Sequence, residues 1–223
     1  MKSSLGLMLA LLFAAHVAQA GVIVGGTRLI YDGNKKESSL SVSNPDKKAY
    51  LVQTWVESID GTEPPPFVVT PPLFRLDGGQ DNLLRVVRAG GNLPSDKESL
   101  FWMNIKAIPS AEKESDRNTL QIAIKARIKL IYRPEGLKGM PEDMADKLTW
   151  QRMGNELQVT NPTPFYMNFQ KVKVAGKDVK EATFVAPGTT AHFALPAGVS
   201  SGSVSWSIIN DFGGTGKEHI GTL

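Results

Sequence analysis

The sequence contains no cysteine and only three histidines. Without cysteine, the fold has neither disulfide bonds nor a thiolate-bound metal, so a hydrophobic core must stabilise it unaided. Beyond residue 20 only His192 and His219 remain, and neither lies in a catalytic pattern such as H-E-x-x-H. We therefore expect that the protein is not an enzyme, and that it binds no metal and no cofactor.

The charges are nearly balanced and give no sign of a polyanionic partner. Lys and Arg number 25 against 22 Asp and Glu, which gives a formal net charge of +3. Recognition of nucleic acid would require a concentrated basic patch with stacking aromatic residues, and the sequence shows none. We therefore predict no nucleic-acid partner.

One long apolar run is present, from Leu5 to Val17. It is shorter than the ~20 residues that a membrane-spanning helix needs. It follows the basic residue Lys2 and precedes the small-residue site Ala18–Ala20, an order typical of a secretory signal peptide. We predict export from the cytoplasm with cleavage after Ala20. No later apolar stretch approaches membrane length, so no membrane insertion is expected.

Most of the remaining chain has the pattern of short β-strands separated by turns. The candidate strands of its first part are Val22–Tyr31, Ser39–Ser43, Tyr50–Val56, Phe67–Thr70, Asn82–Arg88, Ser99–Ile108 and Leu120–Tyr132. Such a series over ~110 residues is typical of an immunoglobulin-like sandwich. The segment Arg133–Gly136 then supplies a proline and a glycine, which end a strand and favour a turn, so the domain boundary is expected there.

A second, smaller β domain follows this boundary. A short helix is predicted to begin at Pro141, with Glu142 and Asp143 at its positive end. The candidate strands after it are Leu157–Asn161, Phe165–Val174, Thr183–Val185, Ala191–Ala194 and Ser203–Asn210. We therefore predict an all-β protein of two immunoglobulin-like β-sandwich domains. The expected division is 1–20 for the signal peptide, 21–140 for the N-terminal domain and 141–223 for the C-terminal domain.

The segment Leu120–Tyr132 carries an unusually regular alternation of residues. Its even-numbered positions share one face, because side chains alternate across a strand, and they are all apolar. The segment is also about twice the usual strand length of about 5–6 residues, so a small sandwich can cover only part of it. Two interpretations stay open. Either this is a long core strand with loops over its ends, or its N-terminal half is available to pair with the sheet of another protein.

Six short motifs decide which protein family the chain resembles. In chain order they are Thr27–Tyr31, Val69–Phe74, Glu98–Ile105, Ile128–Pro134, Asn161–Pro164 and Ile209–Gly213. Together and in register, they resemble the periplasmic pilus chaperones of the usher pathway in Gram-negative bacteria. The resemblance covers essentially the whole chain after the signal peptide. The short polar stretch Pro109–Thr119 is similar to the loop of the short-loop branch of that family.

The resemblance implies two immunoglobulin-like domains set at an angle, with a cleft between them. The clients of this family are fimbrial subunits, which are immunoglobulin-like domains that lack their last strand. The chaperone lends an edge strand to complete the subunit, which is a form of β-augmentation, and passes the subunit to an outer-membrane usher. The expected location is therefore the periplasm. Whether the free protein covers its edge by self-association stays open.

The family's binding residues can be carried over onto matching positions. Arg28 and Lys129 match the two basic residues that bind the C-terminal carboxylate of the subunit. Three further residues match a charge bridge between the two domains, namely Glu98, Arg133 and Asp211.

The donor side chains are expected on the apolar face of the long segment. Leu120, Ile122 and Ile124 match the donor positions of the family. Ile128 continues the same face and is included among the donor residues, although its neighbour Lys129 leaves the core of this domain as an open alternative.

The alternative function is that of a secreted immunoglobulin-like adhesion or carbohydrate-binding protein. Exposed tryptophan platforms would favour this alternative. All four tryptophans instead lie within strand patterns, which predicts that they belong to the cores: Trp55, Trp102, Trp150 and Trp206.

Overall fold

The computed structural model describes residues 21–61, 63–110 and 120–223. The predicted signal peptide with its cleavage site, and residues 111–119 of the predicted short loop, lie outside the described residues. The described chain is almost entirely β-structure, which confirms the predicted all-β fold class. Within these ranges, no helix has both the length and the apolar character needed to cross a membrane.

Two sheets pack face to face in the N-terminal domain. Its strands are β1 (Ile23–Val24), β2 (Arg28–Asp32), β3 (Glu37–Ser43), β4 (Tyr50–Ser58), β5 (Phe67–Thr70), β6 (Leu73–Leu76), β7 (Asp81–Arg88), β8 (Ser99–Pro109) and β9 (Ile124–Arg133). One sheet has the order β1-β3-β7-β5, and the other has the order β2-β9-β8-β4-β6. Neighbouring strands are antiparallel except for β2 and β9, which run parallel.

Alternation of side chains along these strands builds the first core. In β3, Leu40 and Val42 point inward, while the serines on either side of Leu40 face solvent. The opposite sheet contributes Met103, Ile105 and Leu130. Each such side chain contributes roughly 1.5–3 kcal/mol when it leaves water, so this core can hold the domain without disulfide bonds.

The C-terminal domain has a second, separate core. It begins with the helix α1 (Pro141–Met144) and a 3₁₀ turn (Ala145–Lys147). Its strands are β10 (Thr149–Met153), β11 (Glu156–Asn161), β12 (Met167–Val174), β13 (Lys177–Asp178), β14 (Phe184–Val185), β15 (Thr189–Ala194), β16 (Ser203–Ile208) and β17 (His219–Thr222). They form one sheet of order β10-β11-β15 and one of order β13-β12-β16-β17, with β14 beside β12. Trp150 lies in this core, with its ring centroid 5.6 Å from that of Phe169 and 5.3 Å from that of Trp206.

The predicted strand Val22–Tyr31 is wrong as a single element. It is divided between the two sheets, because β1 pairs with β3 whereas β2 pairs with β9. The chain crosses over at Gly25 and Gly26, where it passes very close to β3. A Cβ atom on Gly25 would lie 2.0 Å from the Oγ of Ser41. The missing side chain at Gly25 is therefore what permits the crossing.

The predicted strand Leu120–Tyr132 begins too early. In the structure β9 starts at Ile124, and the first cross-strand pair joins Ile124 to Ala107 of β8. Leu120 and Ile122 precede the strand. A strand persists only while its backbone has a neighbour with which to form hydrogen bonds, and among the described residues these positions have none.

The sequence pattern also missed the short strands β6, β10, β13 and β17. Strands of two to five residues contain too few positions for alternation to be recognised. The last of them, β17, follows the glycine-rich segment Gly213–Gly216 near the C-terminus and completes the second core by pairing with β16.

Two of the four tryptophans are wrongly predicted to be core residues. The prediction holds in the C-terminal domain, but Trp55 and Trp102 lie partly exposed on the outer face of the β4-β8-β9 sheet. Both occupy the positions that alternate with the inward-facing residues of β4 and β8. Lys125 lies 5.2 Å from the ring centroid of Trp55, and Arg127 lies 4.8 Å from that of Trp102. These contacts keep the two rings covered by cations of β9.

Candidate functional site at the domain junction

Arg28 and Lys129 lie side by side where the two domains meet. They form the first cross-strand pair of the parallel strands β2 and β9. The Arg28 Nη1 donates a hydrogen bond of 3.0 Å to the carbonyl oxygen of Ile209 in the C-terminal domain. The Lys129 Nζ donates to the Asn168 Oδ1 and lies 4.7 Å from the ring centroid of Phe184. Both cations therefore reach from the first domain to the second.

This pair places two positive charges in a partly desolvated position. Burial, with the neighbouring charge of Arg28 as a second cause, lowers the pKa of Lys129 to about 8. Burial also lowers the pKa of Arg28, while Asp211 and Glu142 oppose that change. The Arg28 Nε is buried and has no hydrogen-bond partner among the described residues. An anion placed here would stabilise both cations, so the pair is suited to bind a carboxylate.

The lowered pKa of Lys129 predicts a pH-dependent difference between the wild type and a Lys129→Met variant. Lys129 binds its proton less readily in the folded protein than in the unfolded chain, so folding stability rises as the pH increases from about 8 towards the unfolded value of 10.5. We expect a gain on the order of 1–2 kcal/mol, after solvent screening, in the wild type but not in the variant. Urea unfolding at about pH 7 and about pH 10 measures the difference. Equal pH dependence in the two proteins would contradict this assignment.

Asn168 is a residue of this site that the sequence did not reveal. It is buried on β12, where its Oδ1 accepts the hydrogen bond from Lys129 and its Nδ2 donates to the carbonyl oxygen of Tyr166 at 3.4 Å. A single asparagine in a strand has no recognisable pattern. Its importance comes from contact with a side chain 39 positions away, which no local signal reports.

Glu98, Arg133 and Asp211, the residues of the predicted charge bridge, contact one another. The Arg133 guanidinium donates to both carboxylate oxygens of Asp211, at 2.7 and 3.0 Å, and to the Glu98 Oε1 at 2.9 Å. The Glu98 Oε2 accepts a hydrogen bond of 2.7 Å from the backbone N–H of Tyr166. Burial raises the pKa of Glu98, and the charge of Arg133 opposes that change. That these contacts set the geometry of the cleft stays a prediction.

The N-terminal half of β9 has one free edge. On one side, β8 pairs with β9 from Ile124 to Tyr132. On the other side, β2 pairs only from Lys129 onward, and among the described residues no strand pairs with residues 124–128 on that side. A straight continuation of β2 would bring residues 23–27 beside 124–128, but the chain crosses to the other sheet there. The unpaired backbone groups of such an edge are a template for another chain.

Three large apolar side chains at this edge are exposed to solvent. The exposed fractions of Leu120, Ile122 and Ile124 are 87%, 66% and 54%. A row of exposed apolar groups next to a free strand edge indicates an interaction surface.

Ile128 does not belong to this exposed row. It is only 8% exposed and packs into the first core, where the two sheets of the domain already face each other. The prediction that it is a donor side chain is therefore wrong, and the alternative that it is a core residue holds.

A groove of about 720 Å³ opens between the two domains beside Arg28. Its lining combines Arg28 and Arg133 with the exposed side chains of Met140 and Phe212. Charge and apolar surface thus lie next to each other in the groove. Within the described ranges, no group of three or more His, Cys, Asp or Glu side chains is placed to hold a metal ion.

Comparison with known proteins finds relatives along nearly the whole described chain. Residues 21–138 match the family model "Pili and flagellar-assembly chaperone, PapD N-terminal domain", and residues 143–220 match "Pili assembly chaperone PapD, C-terminal domain". The probable fimbrial chaperone LpfB of Escherichia coli O157:H7 is 44% identical over 217 residues, which cover 96% of this chain and 94% of the relative. The chaperone protein FimC of Escherichia coli K12 is 43% identical over 220 residues, with coverage of 97% and 90%.

A solved structure extends the comparison to three dimensions. A chain in the structure of the Salmonella enterica SafA pilin in complex with the SafB chaperone matches this one with a TM-score of 0.86 and 41% sequence identity. The match covers 93% of this chain and 99% of that one.

Proposed function

The chain belongs to the family of PapD-type pilus-assembly chaperones, and we propose that it completes fimbrial subunits with strand β9 and holds their C-terminal carboxylate on Arg28 and Lys129. The family assignment confirms the resemblance carried by the six motifs. It identifies a chaperone of fimbrial subunits in preference to the alternative, a secreted adhesion or sugar-binding sandwich. The observation that carries the proposal is the free edge of residues 124–128, which lies directly next to the two cations.

The direction of the bound subunit strand follows from this arrangement. Its C-terminal carboxylate lies at Lys129, and the rest of the strand extends along the free edge towards Leu120. The subunit strand therefore runs parallel to β9, as β2 does beyond Lys129. It ends where β2 begins, at Arg28, so that the two strands follow one line along the edge of the sheet.

Leu120, Ile122 and Ile124 supply the apolar part of the interaction. Alternate positions of an extended chain point to the same side, so the three side chains enter one groove of the subunit. Their burial contributes roughly 5–9 kcal/mol before the costs of association are subtracted. Residues 120–123 lie outside any strand in the free protein, and we infer that they extend β9 when the subunit binds.

The carboxylate anchor contributes affinity and also determines register. Hydrogen bonds from charged donors to a carboxylate are roughly twice as strong as neutral ones. A slip of one residue would turn every side chain of the lent strand to the opposite face, so fixing one end of the subunit strand fixes all of its contacts. Asn168 supports this role because it orients the Lys129 ammonium before the subunit arrives.

The charge bridge fixes the position of the carboxylate-binding residues, Arg28 and Lys129, relative to the C-terminal domain. Arg133 lies four residues beyond Lys129 on the same face of β9. Exposed ion pairs contribute little, but the side chains of Arg133, Glu98 and Asp211 are only 15%, 1% and 12% exposed and make several hydrogen bonds.

The family also supports proposals about location and about a later partner. Its members are periplasmic chaperones, so the protein acts in the periplasm after cleavage of the signal peptide behind Ala20. It passes its subunits to an outer-membrane usher. The driving force for holding a subunit is the burial of apolar surface.

Hydrogen exchange of backbone amides tests the lent strand. The tagged protein is purified from the periplasm with the fimbrial subunit that binds to it, and exchange is measured by mass spectrometry in the free and the bound state. The amides of residues 120–123, and those amides of residues 124–128 that point away from β8, are expected to exchange quickly when free and slowly when bound. The amides of β8, which lies inside the sheet, serve as the control and stay protected in both states. Fast exchange of these same amides within a stable complex would disprove the proposal.

A further inference from the structure

Glu142 is a half-buried acidic residue near Arg28 that the proposed function does not use. It is the second residue of α1, and it packs under the connection between β16 and β17. A Cβ atom on Gly216 would lie 3.9 Å from the Glu142 Cγ. The Glu142 Oε2 is buried and has no hydrogen-bond partner among the described residues. Buried carboxylate oxygens normally accept a hydrogen bond, and this oxygen is an exception.

Glu142 and Arg28 approach the same stretch of backbone from two sides. Gly216, against which Glu142 packs, donates its N–H to the carbonyl oxygen of Ile208 at 2.8 Å. Arg28 donates from its Nη1 to the next carbonyl oxygen, that of Ile209, at 3.0 Å. Both side chains therefore lie beside the backbone at the end of β16.

Two carboxylates act electrostatically on Arg28, and they differ in their other contacts. Asp211 and Glu142 both raise the pKa of Arg28 against the effect of burial. Asp211 already accepts two hydrogen bonds from Arg133. Glu142 keeps an uncommitted oxygen. Asp211 has the larger effect on Arg28, but its position is fixed by Arg133, whereas the charge of Glu142 acts on Arg28 from an oxygen that no hydrogen bond holds.

We propose that Glu142 is a built-in counterion of Arg28 that weakens the hold of the cleft on the C-terminal carboxylate of the subunit. This inference rests on the proposed function, because it takes Arg28 as part of the anchor. When the subunit carboxylate arrives, two negative groups share one guanidinium and repel each other. The repulsion limits the affinity of the anchor, so that a subunit which is held can also be released.

Replacing the Glu142 carboxylate by a neutral amide of the same shape tests the proposal. The variant is Glu142→Gln, and the probe is a synthetic peptide with the C-terminal strand sequence of the co-purified subunit and a free carboxylate. We expect about five-fold tighter binding than to the wild type at about 0.05 M salt, mainly through slower dissociation, and a smaller difference at about 0.5 M salt. The same peptide with an amidated C-terminus is expected to bind equally to both proteins.

Asp143→Asn is the matched control, because Asp143 is the next residue on α1 and is exposed to solvent. It should change the affinity less than two-fold, within roughly the effect of an exposed charge. Equal or weaker binding by Glu142→Gln, or an equal gain in Asp143→Asn, would overturn the inference. Glu142→Met, which also removes the charge, replaces Glu142→Gln if that variant does not fold.

The double variant with Arg28→Ala separates this inference from the proposed function. If Glu142 acts through Arg28, the gain from Glu142→Gln disappears once Arg28 is replaced. Persistence of the gain would overturn the counterion role while leaving the anchor intact. If instead Arg28→Ala alone had no effect on binding of the free-carboxylate peptide, the anchor itself would be wrong.

Discussion

Replacing Lys129 by alanine is expected to abolish the protection of fimbrial subunits and to leave the chaperone folded. Removal of one partner from a buried charge pair weakens binding by about 2–5 kcal/mol, an affinity loss of at least about thirty-fold. The fold does not depend on this ammonium, because its burial disfavours the charged form, as the lowered pKa of Lys129 shows. Arg28→Ala is expected to have the same effect on subunits, since the carboxylate needs both cations.

The measurement is the amount of subunit that accumulates in the periplasm of cells that express one chaperone variant at a time. Lys125→Ala is the matched control. Lys125 lies on the same face of the same strand as Lys129, but it is exposed and lies four residues farther from the domain junction. Its replacement should leave subunit levels unchanged. Normal accumulation with a folded Lys129→Ala protein would rule out the proposed anchor.

A second pair of substitutions separates the lent strand from the core. Ile122→Asp is expected to remove most subunit binding at unchanged stability of the chaperone, whereas Ile128→Asp is expected to unfold the N-terminal domain. The two isoleucines share one face of the same segment. They differ in exposure, because Ile122 is 66% exposed and Ile128 packs into the core.

The two substitutions can be compared by thermal unfolding and by subunit affinity. A carboxylate in the subunit groove forfeits roughly 1.5–3 kcal/mol of apolar burial and adds a desolvation penalty, so the affinity should fall by more than about a hundred-fold. The Tm should change by less than about 2 °C for Ile122→Asp and fall by more than about 10 °C for Ile128→Asp. A comparable fall for both variants would show that residue 122 belongs to the core of the chaperone.

The alternation of apolar and polar residues accounts for much of the fold. It predicts most of the long strands to within a few residues. The same pattern left two interpretations of the segment 120–132, because a core strand and a lent strand need the same apolar face. In the structure, the C-terminal part of the segment is a core strand, because Ile128 belongs to the core. At its N-terminal end, Leu120 and Ile122 precede the strand and face solvent.

Other features depend on contacts that no local pattern reports. The division of the first predicted strand depends on how close Gly25 comes to Ser41. Asn168 matters because it meets Lys129 across the domain junction. Glu142 could be predicted as part of a helix start, but its position near Arg28 follows only from the packing of the two domains.

The path of residues 23–32 leaves room for a strand from another protein beside β9. A chain that ran straight from Ile23 to Asp32 would close its own sheet and become a self-sufficient sandwich. Here the chain first pairs with the other sheet through β1 and joins this sheet only at β2, so the edge of residues 124–128 stays open for the proposed subunit strand. The open edge of β9 thus depends on the path of the chain between β1 and β2. A substitution at the crossing glycines, Gly25 and Gly26, is therefore expected to impair subunit binding although it alters no residue of the cleft.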